Sequence, residues 1–287
     1  MNSKGTRAGS ADFARHAVPD ADGMPIALSF FGSSMDADTW RVEALRSYDR
    51  PALLWFRAGE GELSISGEGE AFSADQVAFL PRGTAHFLQS NAEFEGLLFF
   101  LPEAAQLRWP EAPLLLDIDA PDRRIELKPI LQAMRREAEQ RAPQGHLALL
   151  HYAGLLSVWL TRRVTQPANL EHEGQTTFSD SAAHRLAGAF TMLVERDFAQ
   201  PDGVQYYAKL LGITPTHLSR ICRKISGRPA LEVLNERRQA EARRLLRETN
   251  TKISDIAEQC GFTTAAYFTR AFRLRNGQSP SEFRNSR

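Results

Sequence analysis

The chain has 287 residues, enough for two domains, and its 35 Lys and Arg balance 35 Asp and Glu. That neutrality hides an asymmetry: residues 179–287 hold 18 basic against 11 acidic side chains, and the remainder holds 17 against 24. A basic C-terminal part suits a polyanion, and the acidic remainder would repel one. No apolar run is long enough to span a bilayer, and the opening MNSKGTRAGSADF has no apolar core of a signal peptide.

Taken in chain order, residues 1–12 read as a disordered tail. Residues 25–101 read as short strands: ALLWFR (52–57), ELSIS (62–66), QVAFL (76–80), AHFLQ (85–89) and GLLFFL (96–101), broken by Gly, Asp and Pro. Strands at this spacing predict a sandwich or small barrel. Residues 123–142 read as a helix with Ile130, Met134 and Ala138 on one face. A second helix, 145–164, carries Leu149, Ala153, Leu156, Leu160 and Val164. It is apolar on more than one side, so part of it should face a partner, either its own barrel or a second subunit; 145–164 is expected to drive dimerisation, with Leu156 in the seam. TQPANLEHEGQTTFSD (165–180) is polar and aperiodic and reads as a linker. The rest reads as helix, with Cys222 and Cys260 on apolar faces as small buried hydrophobes.

The most informative pattern occurs twice in that helical part. Ala208, Gly212, Leu218-Ser219-Arg220 and Gly227 recur as Ala257, Gly261, Phe268-Thr269-Arg270 and Gly277, with the same spacing from Ala to Gly and from Arg to Gly. A helix, a Gly turn and a second helix with an outward Arg is the plan of a helix-turn-helix. At about 100° per residue, Leu218, Ile221, Cys222 and Ile225 share one arc, while Thr216, Ser219, Arg220 and Arg223 share the other. Thr214 suits the N-cap and Pro215 the first turn. In the second copy, Phe268, Ala271 and Phe272 face inward, and Ala266, Thr269, Arg270 and Arg273 face outward. Arginine offers a bidentate donor to base edges, and short side chains let a helix approach closely. Between the copies, Pro229 to Glu248 reads as one long helix, roughly 30 Å, close to the roughly 34 Å of one DNA turn.

THLSRICRKISGRPALEVLNERRQAEARRLL, followed by ISDIAEQCGFTTAAYFTRAFRLRNGQSPSEFR, resembles the AraC/XylS family of bacterial transcription regulators across residues 183–285. YAKLLGITPTHLSRICR looks similar to a branch that activates aromatic-acid catabolism genes. The resemblance implies an all-α DNA-binding domain at 181–287 with two helix-turn-helix units. By position it implies base-facing Thr216, Ser219 and Arg220, then Ala265, Ala266, Thr269 and Arg270; His217, Arg223, Lys224, Thr264 and Arg273 are expected as further DNA contacts beside them. Asn276 departs from the family, where many members carry an aromatic residue. SADQVAFLPRGTAHFLQSN (73–91) is similar to the second cupin motif, with Pro81, Gly83 and His86 at its spacing and Asp75 in place of the leading Gly.

The expected architecture is therefore a two-domain α+β chain. A cupin-like effector-sensing barrel at 13–115 is followed by a helical dimerisation segment at 116–165, a linker at 166–180 and the DNA-binding domain. The strands upstream of His86 contain no His, so a metal site and an enzymatic role are not expected, and neither is a cofactor. The rival readings are a repressor or ligand-independent regulator with a vestigial barrel and, from another class, a metal-cupin enzyme with an accessory DNA-binding domain. For a small effector of the aromatic-carboxylate kind, contacts fall on Trp55 and Arg57, with Arg82 and His86 as further candidates; an Arg beside an aromatic suits an aromatic carboxylate. The expected partners are promoter DNA, a small-molecule effector, a second copy of the chain and, by family resemblance, RNA polymerase, all in the cytoplasm.

Overall fold

A computed structural model describes residues 26–32, 44–65, 67–90, 93–140, 143–165, 175–178 and 181–285. The tail expected at 1–12 and most of the segment expected as linker lie outside these residues. The N-terminal part is built on two antiparallel sheets. Strands β1 (Ala27–Gly32), β7 (Glu95–Phe100), β2 (Ala52–Ala58), β5 (Gln76–Leu80), β8 (Leu114–Asp117) and β9 (Gln175–Thr177) form one, in that spatial order. Strands β4 (Glu68–Ser73), β3 (Glu60–Ile65) and β6 (His86–Gln89) form the other. The β9 strand lies inside the segment read as linker from its polarity; three residues paired to β8 suffice to add an edge strand there.

Both faces of the larger sheet are covered, which is why β2 is buried along Ala52–Phe56 instead of alternating. One face, with Leu54, Phe56, Ala78, Leu98 and Phe100, packs on Leu63, Ile65 and Phe72 of the smaller sheet. Phe56 and Phe72 stack at 4.0 Å between ring centroids, and Phe94 meets Phe72 edge-on at 5.5 Å. The other face, with Leu53, Trp55, Val77, Phe79, Leu97 and Phe99, packs on two helices, α1 (Pro121–Gln140) and α2 (Gly145–Thr165). In α2, Leu149, Ala153, Leu156 and Leu160 are fully buried against this face. Leu147, Leu155, Val158 and Val164 remain exposed. Leu156 thus belongs to the chain's own core and not to an outer seam: adjacent residues lie about 100° apart on a helix, and it is Leu155 that faces out.

The C-terminal part is helical: α3 (Ala182–Asp197), α4 (Val204–Leu210), α5 (Pro215–Ser226), α6 (Ala230–Glu248), α7 (Ile253–Gln259), α8 (Ala265–Asn276) and α9 (Pro280–Asn285). Two apolar cores organise it. Phe190 of α3, Tyr207, Leu218, Ile221, Cys222, Val233 and Leu234 form the first. Ala242, Leu245, Leu246, Ile256, Phe262, Phe268 and Phe272 form the second.

The sheets and the helices meet at a close contact. Leu45 and Ala85 of the N-terminal part complete the first helical core. Ser47 Oγ donates to the Gly188 carbonyl at 2.7 Å and lies 2.7 Å from Thr191 Oγ1, all buried. A Cβ on Gly188 would fall 1.8 Å from the Gly83 carbonyl oxygen, so only glycine permits this approach of α3 to the turn before β6.

Candidate nucleic-acid interface

Two helix pairs, α4–α5 and α7–α8, share one local design. Each turn between helices contains a glycine in the left-handed region, Gly212 at φ 68° and Gly261 at φ 74°. There a side chain would be strained, which accounts for the repeated Gly in the sequence. Each second helix opens on a threonine cap: Thr214 Oγ1 accepts from His217 N–H at 3.2 Å, and Thr264 Oγ1 accepts from Tyr267 N–H at 3.1 Å. Each ends on a left-handed glycine whose N–H returns to the helix, Gly227 to the Arg223 carbonyl and Gly277 to that of Arg273. The leading Ala208 and Ala257 are buried.

The capped helices bury one face and leave the other open. In α5, Leu218, Ile221, Cys222 and Ile225 are buried. Thr216, His217, Arg220, Arg223 and Lys224 are exposed, and Ser219 is half-buried. In α8, Phe268 and Phe272 are buried. Thr264, Ala265, Ala266, Arg270 and Arg273 are exposed, and Thr269 is half-buried, its hydroxyl donating to the Ala265 carbonyl at 2.9 Å. Among the described residues Arg220, Arg223 and Arg270 make no ion pair. Arg228, Arg237, Arg244 and Arg275, by contrast, are each bound to a carboxylate. The domain therefore sorts its arginines: some lock helices together, and others stand free on the outward arcs of α5 and α8. Cys222 and Cys260 occupy buried positions in the two pairs, and burial pushes both thiols up to about 12, away from reactive thiolates.

The four effector candidates do not converge. Trp55 is turned toward α1 and α2 within the outer core, with its Nε1 buried and unpartnered. Arg57 stands exposed where the β2–β7 register shifts. Arg82 is exposed beside Glu103, at 3.5 Å, and borders a cleft of about 110 Å³ shared with Thr84, Glu111 and Arg185. His86 is buried at the junction with α3, its Nδ1–H donating to the Thr84 carbonyl at 3.0 Å and its ring 5.0 Å from Tyr48. Burial holds His86 down to about 3, so it is neutral at ordinary pH. The side of β2 that carries Trp55 faces helices and not the space between the sheets. A hollow of about 710 Å³ opens beside Glu60, Glu62, Phe72, Gln76 and Gln89.

Sequence reasoning also passed over Ser47, Gly188 and Glu236. Gly188 carried a signal, since a glycine in mid-helix costs about 1 kcal/mol relative to alanine and so marks a close approach. Glu236 carried none, because a lone Glu on a charged helix reads as solvated.

Residues 207–286, spanning both helix pairs, match the family model described as "Helix-turn-helix domain". The chain is 38% identical over 134 residues to the HTH-type transcriptional regulator GlxA of Rhizobium meliloti (strain 1021), covering 46% of this chain and 41% of that protein. It is 32% identical over 157 residues to the HTH-type transcriptional activator RhaS of Enterobacter sp. (strain 638), covering 55% and 53%. It spans about half or less of the length of these two relatives. Among solved structures, ToxT from Vibrio cholerae is similar at 12% identity with a TM-score of 0.46, over 91% of this chain and 98% of that one. The C-terminal part is a helix-turn-helix DNA-binding domain. Such domains are carried by both of these relatives, which are transcription regulators.

Proposed function

We propose that the chain is a sequence-specific transcription regulator that reads promoter DNA with two helix-turn-helix units, α5 and α8 each entering a stretch of major groove. The observation that carries this is the pair Arg220 and Arg270. They sit at equivalent positions on two capped helices, exposed and free of ion pairs. Thr216, His217, Ser219, Arg223 and Lys224 accompany the first; Thr264, Ala265, Ala266, Thr269 and Arg273 accompany the second. Ala265 and Ala266 have no polar atoms beyond the backbone, so α5 supplies more of the discrimination.

The N-terminal part acts as a cupin-like sensor of a small molecule, and the chain works in the cytoplasm, without enzymatic activity, as an activator that contacts RNA polymerase. The residues picked for a carboxylate stand apart, so the effector is proposed only as a small molecule. The exposed apolar stripe Leu147, Leu155 and Val158 on α2 supports pairing with a second copy. A ligand-independent regulator is the second reading, favoured by the aromatic rings that fill the space between the sheets.

Duplexes selected by the full chain from a random-sequence pool provide the test. On them Arg220→Ala and Arg270→Ala should each lose about 1–3 kcal/mol, or about 5- to 150-fold, and each should relax preference at its own base positions. Equal weakening on selected and scrambled duplexes at fixed salt would assign both arginines to phosphate and defeat the base-reading account.

A further inference from the structure

The two helix pairs have separate apolar cores joined by a polar stretch of α6. Ala230, Val233 and Leu234 close the core of the first pair, and Ala242, Leu245 and Leu246 close that of the second. Between them lie Glu236, Arg238 and Gln239, all buried. The Glu236 side chain is 3% exposed. Its Oε2 accepts from Arg228 Nη1 at 2.9 Å, and its Oε1 accepts from Arg275 Nη2. Arg228 lies in the turn that ends α5, and Arg275 in the last turn of α8. One carboxylate thus holds the far ends of both groove-facing helices. Further along the same face of α6, Arg243 donates to Asn276 Oδ1 at 3.1 Å. Asn276, an aromatic position in many proteins this chain resembles, is here part of a polar seam.

The opposite side of α6 is held differently. Arg238 lies about 200° around the helix from Glu236. It donates to the carbonyls of Phe198 and Gln200 at 2.8 and 2.6 Å. Beside it, a Cβ on Gly261 would fall 2.6 Å from the Ala199 carbonyl oxygen, so the turn of the second pair presses on the loop after α3. With one side fixed by these backbone contacts, the angle between the pairs is set by what closes the other side. That is Glu236.

We propose that Glu236 is a positioning residue for DNA recognition: by clamping Arg228 and Arg275 it fixes the angle between α5 and α8, and with it the spacing of the two groove segments that can be read together. The recognition role rests on the reading of both helices as groove binders; the clamp itself does not. A buried ion pair is seldom more stable than an apolar substitute of the same volume, but its geometry is directional, which is the property an angle requires.

The test uses the full chain carrying Lys209→Cys and Glu258→Cys, exposed sites on α4 and α7, each spin-labelled; the native cysteines are fully buried. Pulsed dipolar spectroscopy without DNA should give one narrow distance. Adding Glu236→Gln should broaden it at least twofold or add a second distance. Arg275→Ala, which trims a half-exposed side chain and so tolerates folding, should do the same. On duplexes selected by the full chain, one base pair inserted between the two protected stretches turns the second by about 35° and moves it about 3.4 Å. The unsubstituted chain should then lose about tenfold or more in affinity, and Glu236→Gln less than about threefold. A narrow, unchanged distance in both variants overturns the proposal. So does a broadened distance with the same spacing penalty, which would leave Glu236 without a part in recognition. If Arg220→Ala and Arg270→Ala bind as tightly as the unsubstituted chain, the recognition role falls with the groove reading, and the distances alone decide whether Glu236 sets the angle.

Discussion

Gly188→Ala should open the junction between the sheets and the helices without unfolding either. The added Cβ would stand 1.8 Å from the Gly83 carbonyl oxygen and 2.9 Å from its carbon. Carbon and oxygen approach no closer than about 3.3 Å in ordinary contacts, so the turn and α3 must separate by about 1.5 Å. That movement breaks the Ser47 hydrogen bonds to Gly188 and Thr191, both 2.7 Å. Overpacking costs about 1–3 kcal/mol and each of the two lost hydrogen bonds about 1, so the junction weakens by about 3–5 kcal/mol. Alanine meanwhile favours the helix by about 1 kcal/mol, so α3 itself should hold. Amide hydrogen exchange separates the two effects. The Arg46 and His86 amides, paired to each other's carbonyls at 3.0 and 2.9 Å, should exchange about 30-fold faster or more, while amides of α8 stay unchanged. Unchanged exchange at Arg46 and His86 would refute the reasoning.

Two further outcomes follow from burial. Leu156→Glu should unfold the N-terminal part, since a carboxylate replaces a fully buried leucine at a cost of about 3–5 kcal/mol or more, whereas Leu155→Glu should leave it folded and convert dimers to monomers in analytical ultracentrifugation. Both variants staying folded and dimeric would place the interface elsewhere. His86 is held down to about 3 against an ordinary 6.5, so the unfolded chain takes a proton that the folded chain refuses. Stability should therefore be unaffected by this group above about pH 6.5 and fall as pH drops toward about 3, by about 2 kcal/mol at pH 5. His86→Asn should flatten that slope in denaturant melts, and an unchanged slope would count against a neutral buried imidazole.

Much of the helical domain was legible because its signals are local. Caps, left-handed glycines and a buried stripe at helical spacing each act within a few residues, so Thr214, Gly212, Gly227 and the Leu218–Ile225 arc could be read from spacing alone. Five strands, β2, β3, β5, β6 and β7, were found for the same reason, but not the direction in which they face. With β2 buried on both sides, alternation disappears, and nothing in ALLWFR says that Trp55 meets helices while Phe56 meets the second sheet. The β4 strand, EGEAFS, is largely exposed and has no apolar alternation to announce it. In α2 two apolar sides were visible, but which one met the sheet depended on the tertiary packing, and Leu156 turned inward for that reason. The contacts of Ser47 and Glu236 join residues far apart in the chain, at separations of 141 and 39 for their most distant partners, where single-sequence periodicity carries no information.

The central claim, that α5 and α8 both read DNA, is tested most directly by guanine-methylation interference on a duplex selected by the full chain. Methylation blocks the major-groove edge, so each reading helix should leave its own patch of interference. The account predicts two patches about one helical turn apart on one face of the duplex, with Arg220→Ala erasing one and Arg270→Ala the other. A single patch that both substitutions weaken alike would contradict it.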